Sequence, residues 1–240
     1  MQSGNAPPLD PDLFSHGRLL RRFPGSDASR FSARTALHLL QHIEVGAGPQ
    51  VLWDPFCGSG MIPCVTLLAM ALDWGVPKFS AVIASDVDAT AARCARDNMR
   101  LFCQGDAFDR RLAEVRAEGY GNPGRVRSWE RVARYMETLR PFLPLERAPA
   151  CHAFAASVFA LPPMYSQLEE SQVHIVGDAP YGSMSSLHGG GLPAALAALR
   201  RDFPGAGITL VARRDVLPAV EHLPGLRWRG LKGKRAILHL

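Results

Sequence analysis

Val51-Leu52-Trp53-Asp54-Pro55-Phe56-Cys57-Gly58-Ser59-Gly60 is an apolar run that ends in an acid and a glycine-rich turn, and a segment with helical apolar spacing, Met61 to Met70, follows it. The pattern predicts a strand, a tight loop and a helix start. The glycines allow a ligand to approach the backbone, and the helix start presents unpaired N–H groups to it. Phosphate loops need a lysine that is absent here. Because Asp54 would repel a phosphate and attract an ammonium or sulfonium, we predict a loop for a cationic ligand.

Strand patterns alternate with helical patterns along the chain, which predicts an α/β fold with a doubly wound, mostly parallel sheet. The predicted strands span residues 50–53, 80–85, 151–159, 173–176 and 207–212, and residues 226–240 add a strand–turn–strand pattern. The predicted core helices span residues 61–73, 89–102 and 192–203. Right-handed crossovers place the loops at the carboxyl edge of this seven-stranded sheet, with helices on both faces.

An N-terminal extension, residues 1–48, precedes this core within a single predicted domain, residues 1–240. In the extension, Ser26-Asp27-Ala28-Ser29 could cap a helix that runs to about His42. Arg34 lies in that predicted helix.

A helical insertion, residues 104–149, follows the second core helix. We predict two helices in it, at residues 110–118 and 128–139, separated by a glycine-rich segment. The insertion holds nine arginines and seven acids. A solvated hairpin of mixed charge and an RNA-gripping arm agree about equally well with that composition.

The positive charge of the chain is concentrated at its end. The net charge is +5, and residues 200–240 hold nine basic and three acidic side chains. The excess of arginine could reflect genomic base composition alone, whereas a localised basic face favours a phosphate-rich partner.

Other classes of protein are disfavoured by the composition. No uncharged apolar run reaches the length of a membrane span, and the N-terminus lacks the pattern of a signal peptide. The five cysteines form no C-x-x-C pair, and the isolated histidines lack metal-ligand spacing. We therefore expect a cytoplasmic chain with no membrane partner and no metal.

Two further acids follow predicted strands. Asp86 comes 32 positions after Asp54, where a carboxylate can accept hydrogen bonds from ribose hydroxyls. Asp88 could assist it or cap the next helix, and the cap is the better interpretation. The turn Asp178-Ala179-Pro180-Tyr181-Gly182 follows the fourth strand.

The string Asp54 to Gly60 resembles motif I of class I S-adenosylmethionine (SAM) methyltransferases, which have a Rossmann-like fold. The resemblance implies that SAM is the cofactor, that the glycine loop contacts its methionine part, and that Asp86 binds its ribose. The residues that it places at the cofactor are Asp54, Pro55, Cys57, Gly58, Ser59, Gly60, Asp86, Asp88, Ser157, Val158 and Asp178. Ser157 stands where this family often has an aspartate that reads the adenine amino group.

The turn that begins at Asp178 resembles motif IV, the [D/N/S]-P-P-Y loop of enzymes that methylate base nitrogens. The resemblance implies a catalytic group of Asp178, Pro180 and Tyr181. Tyr181 offers a stacking face to a base removed from its stack, and Asp178 or the Ala179 carbonyl can accept hydrogen from the reacting nitrogen. With no cysteine in residues 177–183, methylation at C5 of a pyrimidine is disfavoured, since it needs a thiolate.

Leu52 to Gly60, Ile83 to Asp88, the insertion and Asp178 to Gly182 are together similar to the AviRa-type ribosomal RNA methyltransferases. This family of avilamycin-resistance enzymes methylates a guanine of 23S rRNA. The resemblance implies the same activity here, with 23S rRNA or the large ribosomal subunit as partner of a monomer. Arg34 precedes the first strand as in that family. Expected RNA contacts are Arg34, Arg227, Arg229, Lys232, Lys234 and Arg235.

Three alternatives stay open from the sequence. The [D/N]-P-P-Y loop also serves methyltransferases of adenine N6 or guanine N2 in DNA or other RNAs. Ser157 and Ala179 leave room for a SAM-fold RNA-binding protein without activity. A small-molecule methyltransferase is less favoured, because the basic C-terminal end would then have no purpose.

Overall fold

The computed structural model describes residues 6–15, 18–23, 31–120, 126–160, 173–180, 190–231 and 233–240, without the side chains of residues 119 and 120. The strands are β1 (Val51–Asp54), β2 (Ala81–Asp86), β3 (Ala150–Ala155), β4 (Val173–Asp178), β5 (Gly207–Arg213), β6 (Arg227–Gly230) and β7 (Arg235–His239). The helices are α1 (Ala33–Leu40), α2 (Met61–Ala71), α3 (Ala89–Cys103), α4 (Gly105–Tyr120), α5 (Val126–Leu139), α6 (Gly191–Asp202) and α7 (Leu217–Val220). Short 3-10 turns lie at Arg140–Phe142 and Arg214–Val216.

The strands form one sheet in the order β3-β2-β1-β4-β5-β7-β6. All neighbouring pairs are parallel except β5–β7 and β6–β7, so β7 alone of these seven strands runs against the others. The prediction of a seven-stranded, mostly parallel sheet is therefore confirmed. The strand order reverses between β1 and β4, and ligands of such folds bind at the carboxyl edge of this switch point.

Helices cover both faces of the sheet, as the sequence predicts. One buried core joins α1 to α5 to the first face, and a second core joins α6 and α7 to the other. Helix α2 has ten buried residues of its eleven, because it lies between the sheet, α1 and α3. This explains why its sequence is apolar on all sides rather than on one stripe.

Several predicted boundaries are wrong, among them the start of α4, which begins at Gly105 instead of residue 110. Helix α1 begins after Ser32, whose hydroxyl accepts a hydrogen bond from the Thr35 N–H, and the predicted cap at residues 26–29 lies outside the described residues. Strand β3 ends at Ala155 instead of Phe159. The chain turns there because the Ser157 hydroxyl accepts a hydrogen bond from the Phe159 N–H and the Ser157 carbonyl accepts one from the Ala160 N–H.

The insertion is a pair of helices, α4 and α5, that pack on each other. Most of its described arginines are neutralised by acids. The ion pairs are Arg110–Asp106, Arg111–Glu114, Arg111–Glu118, Arg116–Glu137, Arg131–Asp10, Arg134–Glu130 and Arg140–Asp109. This pairing favours the mixed-charge hairpin over an RNA-gripping arm. In the described part of the chain, no helix has the length and apolar character needed to cross a membrane.

Candidate active site

The glycine loop between β1 and α2 is held by its own backbone and by Asp86. The Gly58 N–H donates to Oδ2 of Asp86 at 2.9 Å, and the Gly60 N–H donates to the Cys57 carbonyl at 2.7 Å. Gly58 and Gly60 have φ of +50° and +85°, which side chains rarely tolerate. A Cβ on Gly60 would also lie 3.1 Å from Cα of Ala95, so α3 packs directly against the loop.

Gly60 is the N-cap residue of α2 and has no side chain to cap it. The first N–H groups of α2, which lie at the carboxyl edge of the sheet, therefore receive no hydrogen bond from an N-cap side chain. The side chains of Pro55, Cys57 and Ser59 are buried. Contacts from these three residues to a ligand would thus come from their backbone atoms.

Asp54 ends β1 and is only 1% exposed. Its Oδ1 accepts a hydrogen bond from the Phe56 N–H at 3.1 Å. Burial raises the pKa of Asp54 well above its usual value, and the negative charges of Asp86 and Asp178 raise it further, against the opposing effect of the Phe56 N–H. The structure thus gathers the three acids that the sequence singled out, and a cation bound among them would favour their ionised forms.

Gly177 is a site residue that the sequence did not single out. A Cβ at this position would lie 3.1 Å from Cδ2 of Phe56 and 3.3 Å from Oδ1 of Asp54. Strand β4 therefore passes close to the glycine loop only because residue 177 has no side chain. A glycine directly before the motif IV acid is the signal that could have indicated this close approach.

Asp86 ends β2, and its carboxylate already accepts two backbone hydrogen bonds. Besides Gly58, the Asp88 N–H donates to Oδ1 at 3.0 Å. A carboxylate offers about four acceptor positions, so it retains acceptor capacity for ribose hydroxyls. Burial raises the pKa of Asp86. Oδ1 of Asp88 accepts a hydrogen bond from the Thr90 N–H at 2.7 Å, which supports the helix-cap interpretation of that residue.

Three residues near Asp86 could border an adenine. Val87, which the sequence did not suggest, follows Asp86 directly and is 64% exposed. The Ser157 hydroxyl already accepts the hydrogen bond of the Phe159 N–H at 3.2 Å. Val158 is 4% exposed and packs in the second core, so an apolar contact to a ring is better supplied by Val87 than by Val158.

Asp178 ends β4 and is half-buried. The following Ala179 is held by its N–H, which donates to the Val211 carbonyl of β5 at 2.8 Å. Pro180 is half-buried, and Tyr181 lies outside the described residues. Asp178, Ala179 and Pro180 therefore leave the sheet at the same edge as Asp54 and Asp86.

The buried Cys57 is not suited to be a nucleophile. Burial raises the pKa of its thiol well above the usual value, and the charges of Asp54 and Asp86 raise it further. The thiolate form is thus disfavoured at neutral pH.

Comparison with known proteins agrees with this geometry. A family model described as rRNA methyltransferase AviRa matches residues 9–214. A Streptomyces viridochromogenes protein, "23S rRNA (guanine(2535)-N(1))-methyltransferase", is 30% identical over 187 residues, which are 75% of this chain and 70% of that protein. The chain belongs to the AviRa rRNA methyltransferase family.

Two solved structures extend this likeness to almost the whole chain. Both are the rRNA methyltransferase AviRa from Streptomyces viridochromogenes, solved at 1.5 Å and 2.4 Å, and both are 25% identical to this chain. They cover 99% of this chain and 95% of their own, with TM-scores of 0.70 and 0.69. The predictions of an rRNA methyltransferase and of a class I methyltransferase fold are confirmed.

A basic surface of this AviRa-family protein lies beside α1. It comprises Arg34, His38 and His42 with Arg227 and Arg229 of β6, and its three arginines are exposed. Within the described residues, none of these arginines forms an ion pair with an acid, in contrast to the arginines of the insertion.

Arg229 is held in place by a histidine. Its Nη2 lies 2.6 Å from Nε2 of His38, and because a guanidinium can only donate, Nε2 of His38 is the acceptor. Burial lowers the pKa of His38, and the positive charges of Arg229 and His42 lower it further. His38 is therefore a neutral support for the Arg229 side chain.

Of the other predicted RNA contacts, Lys234 lies on the turn between β6 and β7, and Arg235 begins β7. Lys234 is exposed and Arg235 is half-buried, whereas Lys232 lies outside the described residues. Since β6 runs parallel to β5, its end and this turn lie at the carboxyl edge of the sheet, where β7 is two strand positions and β6 three strand positions from β4.

Proposed function

We propose that this rRNA methyltransferase transfers the methyl group of SAM to N1 of a guanine in 23S rRNA. The gathering of Asp54, Asp86 and Asp178 at the carboxyl switch point is the observation that carries the proposal. The choice of guanine N1 is supported by the guanine-N(1) activity in the name of the relative that is 30% identical.

The residues at the glycine loop fit SAM. Buried Asp54 suits a neighbour with positive charge, the backbone of Gly58 to Gly60 admits close approach, and Asp86 retains acceptors for the ribose. Val87 and Ser157 would border the adenine. When bound, SAM supplies a methyl group activated by its sulfonium charge.

Asp178 would act on the base. Guanine N1 carries a hydrogen that has to leave as the nitrogen takes the methyl group, and the Asp178 carboxylate is the acceptor that we assign to it. Pro180 would fix the turn that orients the base, and Tyr181 would stack on it, as the sequence predicts. Holding the nitrogen in line with the methyl group supplies a large part of the rate.

We further propose that Arg34, Arg227, Arg229, Lys232, Lys234 and Arg235 bind RNA phosphates. The family match ends at residue 214, so the assignments in β6 and the following turn depend on charge and position. The lack of acidic partners for Arg34, Arg227 and Arg229 among the described residues supports this role.

Methyl transfer from tritiated SAM to isolated bacterial rRNA tests the proposal. We expect label in 23S rRNA, 1-methylguanosine by nucleoside mass spectrometry, and a reverse-transcription stop at one site, because a methyl group on the Watson–Crick edge blocks extension. Methyl on adenine N6 or guanine N2 would replace our assignment with the corresponding alternative. No label in any RNA would refute the activity.

Asp178→Asn tests the catalytic assignment. The variant keeps the shape of the side chain but loses the proton acceptor, so we expect transfer to fall by about 100-fold or more, with SAM affinity within a few-fold of wild type. Full activity of Asp178→Asn would refute the role of Asp178.

The biological setting that we propose is a cytoplasmic enzyme acting as a monomer on rRNA or the large subunit. Its expression in a susceptible bacterium should raise the inhibitory concentration of avilamycin, and Asp178→Asn should abolish the increase. If the rRNA were fully methylated and the inhibitory concentration unchanged, the enzyme would not confer resistance to avilamycin.

A further inference from the structure

Asn98 of α3 is a fully buried polar side chain that touches the glycine loop. Its Nδ2 donates to the carbonyl of Ser59 at 2.8 Å. Ala95, one helical turn earlier, lies against Gly60. The same face of α3 thus supports two consecutive loop residues, one by van der Waals contact and one by a hydrogen bond.

The same amide also binds the N-terminal extension. Nδ2 of Asn98 donates to the Arg21 carbonyl at 2.9 Å, and its Oδ1 accepts the Arg21 N–H at 2.7 Å. The orientation of the amide is fixed, because the two carbonyls need a donor and the N–H needs an acceptor. Asn98 therefore links Ser59 to a segment 38 positions earlier in the chain than that serine.

Helix α4 holds this N-terminal segment in place. Arg111, only 4% exposed, donates from Nε to the Leu19 carbonyl at 3.1 Å and from Nη2 to the Arg18 carbonyl. Glu114 accepts two hydrogen bonds from Nη2 of Arg21, at 2.7 and 2.8 Å. Leu19 itself is fully buried. The segment 18–21 is thus a strap fixed by both backbone and side-chain contacts.

We propose that Asn98 is a positioning residue for the SAM loop. The strap of residues 18–21, held by Arg111 and Glu114, keeps the Asn98 amide in the orientation in which it donates to the Ser59 carbonyl. The insertion then contributes to cofactor binding through α4 without touching the cofactor. This inference rests on the proposed binding of SAM at Asp54 to Gly60. A loop held in its binding shape before the ligand arrives loses less conformational freedom when it binds.

Asn98→Leu tests the proposal, because leucine has a similar size and makes none of the three hydrogen bonds. Asn98→Ser, a smaller polar replacement, is the second variant in case the first does not fold. Thr66→Val is the matched control: Thr66 is also fully buried, and its hydroxyl donates only to the Ile62 carbonyl of its own helix.

We expect the Asn98 variants to raise the Kd for SAM, measured by calorimetry, by about tenfold, as loss of a buried hydrogen bond would. Saturating SAM should restore turnover, so KM rises while kcat stays close to wild type. Thr66→Val, which removes a single hydrogen bond within its own helix, should lower the melting temperature less than the Asn98 variants do and should leave the Kd unchanged. Equal Kd values for Asn98→Ser and wild type would overturn the proposal.

Amide hydrogen exchange of residues 56–61 without SAM provides a second readout. Exchange should be faster in the Asn98 variants than in wild type and Thr66→Val. Glu114→Gln, which loosens the strap from an exposed position, should accelerate exchange there to a smaller extent. Unchanged loop exchange in Glu114→Gln would refute the role of the strap. If wild type bound no SAM, the proposed function would fail, and loop exchange would still decide the role of Asn98.

Discussion

The carboxylate of Asp86 accepts a hydrogen bond from the backbone N–H of Gly58, with 2.9 Å between Oδ2 and N. The acid that we assign to the ribose therefore also fixes the loop that we assign to the methionine part of SAM. This shared use of one side chain couples the two halves of the cofactor site. It also means that a change at Asp86 has two consequences for binding.

Asp86→Ala is expected to raise the Kd for SAM by about 10- to 100-fold, since hydrogen bonds to a charged group are each worth roughly 1.5–3 kcal/mol. Isothermal calorimetry measures the change. Asp73→Asn is the control, because Asp73 is exposed and pairs with Lys78. A Kd that rises less than about threefold in Asp86→Ala would contradict the ribose assignment.

Asp54→Asn is expected to stabilise the protein without ligand. The pKa of Asp54 is raised in the folded state by burial, so the unfolded chain loses this proton at a lower pH than the folded chain. As pH rises from about 4 through the folded pKa, the wild-type protein therefore loses stability that the variant keeps. Above that window, Asp54→Asn should melt a few degrees higher, roughly 2–4 °C per kcal/mol, in thermal scans without SAM.

The same protonation gives SAM binding the opposite pH dependence. A cationic ligand favours the ionised carboxylate, so the affinity of wild type for SAM should increase with pH through the same window. Asp54→Asn should bind SAM more weakly and with a smaller pH dependence. Parallel pH profiles for the two proteins would show that the charge of Asp54 does not interact with the charge of the ligand.

Arg227→Gln and Arg229→Gln are expected to weaken rRNA binding and to lower its salt dependence. Each lost phosphate contact should reduce the slope of log K against log salt concentration by about 0.7–0.9. Filter binding at several salt concentrations measures it. Arg116→Gln is the matched control, since Arg116 is paired with Glu137 in the insertion. Equal slopes for all three variants would place the RNA elsewhere.

The site residues that belong to short sequence motifs at the ends of strands were predictable. The loop Asp54 to Gly60, Asp86 and the Asp178 turn each follow a strand, and the parallel topology then requires them to meet at one edge. The N-cap of α1 was not predictable because several serines precede the helix and any of them could serve as the cap. The end of β3 was not predictable because the strand is ended by a turn in which the Ser157 side chain binds the backbone.

Contacts between distant segments were not predictable from one sequence. Asn98 lies 39 positions from Ser59 and 77 from Arg21, and nothing in its own neighbourhood indicates either contact. The ion pairs of the insertion were not predictable for the same reason. Its composition does not indicate that Arg116 pairs with Glu137, 21 positions away.

Gly230→Ala is expected to disrupt the turn between β6 and β7 by displacing the side chain of Arg214. Arg214 holds that turn: its Nη2 donates to the Leu231 carbonyl at 2.9 Å and its Nε to the Arg235 carbonyl at 3.1 Å. A Cβ at Gly230 would overlap Nη2 of Arg214 and lie 3.0 Å from Cζ. The guanidinium would have to move away and lose both hydrogen bonds.

A double-mutant cycle tests this mechanism. Gly230→Ala and Arg214→Ala should each lower the free energy of unfolding by roughly 1–2 kcal/mol, measured by denaturant titration. The double variant should lose hardly more than the worse single variant, because both changes remove the same two hydrogen bonds. Both singles should also raise the KM for rRNA and leave the Kd for SAM unchanged, since the turn bears Lys234 but lies away from the glycine loop. Additive losses of stability would show that Gly230→Ala destabilises the protein by a mechanism that does not involve Arg214.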